Sequence, residues 1–212
     1  MDSIREAAEK LQADLAECEC LLIGLGAEWG RLKEAESISA YKSLYQLAKG
    51  KNYFVVTTVT DGRIFGTSFD PERMVAPCGN VNWLQCSRSC TKDIWEKGEI
   101  PDGICPHCGA PLTGNTIEAD CYIEEGYLPQ WNRYKEWLSK TLNRRLVLLE
   151  LGEGFKTPTV IRWPFEKTAF FNQKSHMYRV NKKFFQISGE IRERAHGVET
   201  DSVEFVKKFV GK

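Results

Sequence analysis

The chain has 212 residues, 42% of them hydrophobic, enough for one sizeable domain and a small module around a real core. Lysine plus arginine equals aspartate plus glutamate at 29 each, so no basic footprint points to a nucleic-acid partner. No apolar run approaches the roughly 18 residues of a membrane span. Eight cysteines beside an acidic amphipathic N-terminus, in place of an export signal, predict a reducing cytoplasmic setting.

Ile4, Ala7, Ala8, Leu11 and Leu15 recur at helical spacing and predict a helix over 2–17. The continuous apolar run Cys20-Leu21-Leu22-Ile23 predicts a buried parallel strand. It runs into Gly24-Leu25-Gly26-Ala27-Glu28-Trp29-Gly30. Glycines there let a backbone turn sharply and approach a phosphate, and they also suit a plain strand-to-helix turn. A helix over 37–48 stops at Gly50, and a β-branched and aromatic run over 53–58 predicts a second strand. Asp61 and Gly62 lie at its carboxyl end, the edge where ligands collect in open parallel sheets. Met74-Val75-Ala76 then leads through Pro77-Cys78-Gly79 into a cysteine-rich stretch.

In that stretch Cys86 and Cys90 are followed by the pair Cys105 and Cys108. Two such knuckles turn four thiolates onto one ion, which is the tetrahedral arrangement Zn2+ takes from sulfur. The intervening residues carry turn formers (Gly98, Pro101, Asp102, Gly103) and little apolar content, so metal is expected to replace a core. Four sulfurs close the shell, leaving His107 outside it and making the zinc structural.

Beyond Cys121, an aromatic stripe over 127–143 predicts a core-packed helix, and Leu146 to Leu151 a third strand. Gly152-Glu153-Gly154-Phe155-Lys156 follows, then Thr157-Pro158, which reads as an N-cap and first helical position for a helix reaching about residue 174. A fourth strand over 177–180 ends at Asn181, residues 184–187 form a candidate fifth, and 202–210 a last helix. The alternation predicts an α/β fold: a Rossmann-like parallel sheet (1–76 and 122–212) with an inserted four-cysteine zinc ribbon (77–121).

These motifs, taken in order, resemble the sirtuin family, and the resemblance covers nearly the whole chain. Ile23-Gly24-Leu25-Gly26 resembles its Gly-Ala-Gly pyrophosphate loop, and Thr57-Thr58-Val59-Thr60-Asp61 its Thr-Gln-Asn-Ile-Asp motif. Ala76-Pro77-Cys78-Gly79 stands where the family has His-Gly, and the segment from Leu151 to Pro158 resembles its third NAD-contacting loop, as found in macrodomain-linked bacterial members. Val180-Asn181 resembles the strand end that contacts the adenosine ribose. The resemblance implies NAD or ADP-ribose as ligand, a modified protein as substrate, and NAD-dependent deacylation or ADP-ribosyl transfer. It implies that Gly24, Gly26 and Ala27 hold the pyrophosphate, that Thr57, Gly152, Thr157 and Asn181 line the cofactor, and that Asp61 orients the nicotinamide ribose.

The chain also departs from the pattern. The histidine that takes a proton from the ribose in sirtuins reads Cys78, a base or nucleophile only if positive charge lowers its pKa. The motif asparagine reads Val59, the serine after the glycine loop reads Glu28, and the Pro-Asp-Phe-Arg segment is missing, with residues 30–51 too short for the usual cofactor-binding loop. Two expectations follow: an enzyme of the sirtuin type, or a binding module that keeps the fold without the chemistry.

Overall fold

The computed structural model describes residues 2–210. In chain order these form α1 (Asp2–Glu17), β1 (Cys20–Leu25), the one-turn α2 (Ala27–Gly30), α3 (Glu34–Ala48), β2 (Tyr53–Thr57) and β3 (Met74–Val75). A ribbon of β4 (Gly79–Cys86), β5 (Trp95–Glu96) and β6 (Leu112–Thr116) follows. The chain then returns through α4 (Leu128–Ser139), β7 (Leu146–Leu151), α5 (Arg162–Phe171), β8 (His176–Val180), β9 (Ala195–Val198) and α6 (Ser202–Phe205).

Six strands make one parallel sheet in the order β3-β2-β1-β7-β8-β9. The central strands are mostly apolar because both faces are covered, with Glu150 of β7 and Arg179 of β8 as buried charged exceptions. Leu21, Ile23, Leu25, Val55 and Leu149 pack with Leu11 of α1 and Tyr41 and Leu44 of α3. Their neighbours Leu22, Phe54, Val56 and Leu148 pack with Tyr134 of α4 and Phe165 of α5. From β1 the chain winds outward to β2 and β3 on one side, and from β7 to β8 and β9 on the other. The order reverses at β1/β7, and the crevice outside those carboxyl ends is where such sheets hold ligands.

The α/β sheet with its inserted ribbon is as the sequence predicts, and four details differ. Residues 74–75 pair with β2 as an edge strand. The helix expected from Thr157 begins at Arg162, because residues 157–160 close a turn of their own, Val160 N donating to Thr157 O at 3.1 Å. The fifth long strand is 195–198, not 184–187: there the Phe184 and Gln186 carbonyls accept from the Arg162 and Arg179 guanidiniums at 2.9 and 2.8 Å instead of from a strand. The last helix is α-helical only to Phe205, then widens to a π-turn over Val206–Val210.

In the ribbon, β4 lies between β5 and β6, antiparallel to both, with a register shift between Asn80 and Leu84. Gly79 at its root has φ +85°, and a Cβ there would stand 2.1 Å from the Asn115 carbonyl oxygen. Only glycine lets the chain leave Cys78 in that direction.

Candidate functional site

Two clefts open at the carboxyl edge of the sheet. The first, about 290 Å³, is lined by Ala27, Gly30, Arg31, Thr58, Val59, Asp61 and Cys78 on one side and by Glu118, Glu153, Gly154, Lys156 and Thr157 on the other. The second, about 340 Å³, is lined by Glu28, Gly152, Asn181, Lys182, Lys183, Phe184 and Asp201. Ala27, Arg31 and Gly154 belong to both, so the clefts meet at that waist.

The residues expected from sequence divide accordingly. Asp61, Cys78 and Thr157 come together in the first cleft, Gly152 and Asn181 in the second, and Ala27 at the waist. Gly26 lies beneath: a Cβ on it would stand 2.3 Å from Glu153 Cα, so the glycine is needed for the β1 and β7 loops to touch. Gly24 and Thr57 line neither cleft. Gly24 faces α5, where a Cβ would meet Ile161 Cγ2 at 2.6 Å, and Thr57 Oγ1 accepts from Val59 N at 3.0 Å, shaping the turn after β2. Their parts are packing and turn geometry.

Cys78 is buried, with its Sγ 4.0 Å from Thr157 Oγ1, and burial pushes the thiol up to about 11. Arg73, the arginine five residues before it, is paired with Asp70 at 3.6 Å. A thiol in that state is protonated at neutral pH and takes no proton from a ribose.

Asp61 Oδ1 accepts from Arg63 N at 2.9 Å, while the buried Oδ2 lies 3.2 Å from Arg63 Nε without a hydrogen bond. The neighbouring Tyr41 hydroxyl, pushed up by burial and by the Asp61 charge, is likewise buried without a partner. Polar atoms left so are costly unless water or a ligand meets them. Glu28, which stands where the family has a serine, commits both oxygens to main-chain donors, Lys182 N at 3.1 Å and Ser202 N at 2.9 Å. Asn181 is equally committed: its Nδ2 donates to Glu153 O at 2.8 Å and its Oδ1 accepts from Lys183 N and Phe184 N.

Sequence reasoning assigned no role to Glu153. It is buried, its Oε2 accepts from Thr58 Oγ1 at 2.7 Å, and burial raises the carboxyl to about 7. The available signal was an acid between two glycines at a strand end already read as ligand-facing.

Beneath this loop, Arg179 forks onto Glu150 (Nε to Oε1 2.6 Å, Nη2 to Oε2 2.9 Å) and reaches Glu166 at 2.6 Å. Arg162 lies 3.4 Å from the same Glu150, with its guanidinium 4.4 Å from the Phe155 ring centre. This buried network fixes both the third loop and the 184–186 segment to the sheet.

In the ribbon, the Sγ atoms of Cys86, Cys90, Cys105 and Cys108 all lie within 4.8 Å of one another, with Cys86–Cys108 and Cys90–Cys105 at 3.5 Å. Sulfurs about 2.3 Å from a tetrahedral ion stand roughly 3.8 Å apart, so the set fits one. His107 turns away to Asp93, Nε2 to Oδ2 2.7 Å. The local core is just Cys86, Trp95, Cys105 and Ala110 with a few half-buried neighbours.

No family model matches the chain. A protein ADP-ribosyltransferase of Staphylococcus aureus is 25% identical over 173 residues, covering 73% of this chain and 55% of that protein. A probable bifunctional ADP-ribose hydrolase/ADP-ribosyltransferase of Fusarium oxysporum is 27% identical over 141 residues, 55% of this chain and 23% of that protein. The chain thus spans about half the length of the first curated relative and about a quarter of the second. A crystal structure of Sir2 in complex with an inhibitor, 2′-O-acetyl-ADP-ribose and a deacetylated peptide superposes with a TM-score of 0.62 at 14% identity, covering 94% of this chain and 96% of that one. With its parallel sheet, its ribbon inserted after the third strand, and its clefts at the strand ends, this chain has the sirtuin fold.

Proposed function

We propose that the chain binds NAD across the two clefts and transfers its ADP-ribosyl group to an acceptor, with Zn2+ held structurally by Cys86, Cys90, Cys105 and Cys108. The observation that carries the reading is the joined pair of clefts: Asp61 presents a buried carboxylate oxygen with no donor in the first, and Asn181 and Gly152 frame the second. A ribose hydroxyl would supply the donor that Asp61 lacks. The names of the curated relatives favour ADP-ribosyl transfer over deacylation, and so does Cys78, a protonated thiol where deacylation would use a base.

Bound NAD supplies an ADP-ribosyl group whose bond to the positively charged nicotinamide is already activated. Asp61 orients the ribose beside it. Glu153, ionised above about pH 7, accepts the acceptor's proton as its nucleophile bonds to C1′ and nicotinamide departs with the electron pair of the broken bond. Thr58, donating to Glu153 Oε2, fixes the carboxylate's direction. The experiment is nicotinamide release by the zinc-loaded protein, with isotope-labelled NAD and candidate protein acceptors. Release together with label on an acceptor is expected; folded protein that releases no nicotinamide refutes the catalytic reading.

A binding-only reading is favoured by the same Cys78 and by Val59, which offers no hydrogen bond in the first cleft. It predicts ADP-ribose binding with no turnover on any acceptor.

A further inference from the structure

The charged groups around the two clefts are nearly all committed internally. Glu28 is bound to two main-chain N–H groups, Asp61 through Oδ1 to Arg63 N with its Oδ2 left for a ligand, Glu153 to Thr58, and Lys156 to Glu118 at 2.5 Å. Arg31 is the exception at the waist. It lines both clefts, its side chain is exposed, and among the described residues its guanidinium has no ion-pair or hydrogen-bond partner. Lys182 and Lys183 line the second cleft and not the first.

We propose that Arg31 is the counter-charge that joins the two clefts into one dinucleotide site, forking onto the pyrophosphate of a ligand that spans them. The proposal rests on the NAD reading and deepens it. A ligand with a nicotinamide ribose beside Asp61 and an adenosine beside Asn181 must carry its two phosphates past Ala27, Gly154 and Arg31, the lining residues common to both clefts among the described residues. The glycine loop is poorly placed to hold them alone: Gly26 N already donates to Leu151 O at 2.9 Å, and Glu28 N points to Gly152 O at 3.4 Å. A guanidinium offers paired donors in the fork geometry that phosphate oxygens accept, and it stays charged at every working pH. The backbone holds Arg31 close to the waist by ending α2 there, Arg31 N donating to Glu28 O at 3.4 Å.

The test compares wild type, Arg31→Ala and Arg31→Lys by calorimetric titration with NAD, ADP-ribose and adenosine, with thermal unfolding as a fold control. A charge-assisted pair accounts for about a 10- to 100-fold change in affinity. Arg31→Ala is therefore expected to weaken NAD and ADP-ribose by that factor and leave adenosine within about twofold. Arg31→Lys is expected to recover part of the loss, since it restores charge without the fork. Unchanged ADP-ribose affinity in Arg31→Ala would overturn the proposal while leaving the NAD reading standing. Equal loss of adenosine would overturn it too, by making Arg31 a support of the cleft wall. Wild type that binds none of the three would sink the NAD reading and this inference together.

Discussion

A carboxyl enclosed beside Gly26 and hydrogen-bonded to Thr58 keeps its proton to about pH 7, because burial penalises the charged form more than one hydroxyl compensates. Two consequences follow for Glu153. As the base it works only when ionised, so turnover is expected to rise with pH through about 7, and Glu153→Gln should remove that limb and lower kcat by about 10²- to 10⁴-fold with little change in NAD affinity. Its folded pKa lies above the unfolded carboxylate value, so it costs stability as pH rises from about 4.5 through 7. Glu153→Gln is therefore expected to be more stable than wild type at pH 8, by roughly 2–3 kcal/mol, with the gap closing toward pH 5. Denaturant unfolding at the two pH values, beside the pH–rate profile, checks both signs. At this scale the sequence was least legible. Gly24 and Gly26 look alike in the chain, yet one faces the α5 core and the other a neighbouring loop, and only the turn after β1 decides which.

At the scale of elements, the ribbon and the third loop are held by opposite means. The ribbon buries little apolar surface, so on the proposed zinc assignment bonds from its four sulfurs to the metal supply the stability that packing does not. Cys105→Ser is expected to lower bound zinc, measured by elemental analysis, and to unfold the ribbon while the sheet's ordered circular-dichroism signal persists; an unchanged metal content would refute the four-sulfur assignment. The third loop instead rests on fully buried charge. Removing one side of such a pair strands the other, so Arg179→Ala should destabilise the protein by about 3–5 kcal/mol, read by denaturant midpoint. It should also loosen residues 184–186, whose Gln186 carbonyl loses its donor. That loop shows why a strand was expected over 184–187 and not found: an apolar pattern announces burial, but which donors reach the carbonyls is settled by Arg162 and Arg179 from distant elements.

Over the whole molecule, what the sequence made legible is what short-range chemistry dictates. Mainly apolar runs with glycines at their carboxyl ends locate the central parallel strands and the ligand edge, and cysteine spacing locates the ribbon. What it left hidden depends on long-range closure: the Glu153 contact with the β1 loop, the β9 pairing that completes the sheet, and the way the chain's last described segment reaches back to its first loop. That return is made by Glu28, whose two oxygens clasp main-chain donors of residues 182 and 202. Those N–H groups serve as a sheath over a negative charge, since while they are engaged the carboxylate's lone pairs are turned away from an approaching anion. Stripping the chain beyond Thr200 would take away the Ser202 half of the sheath, together with the Asp201 and Val203 wall. On the proposed dinucleotide reading, a shortened form would present an acid with one oxygen, Oε2, stripped of its main-chain donor, and is expected to bind ADP-ribose more weakly than the longer form in calorimetric titration.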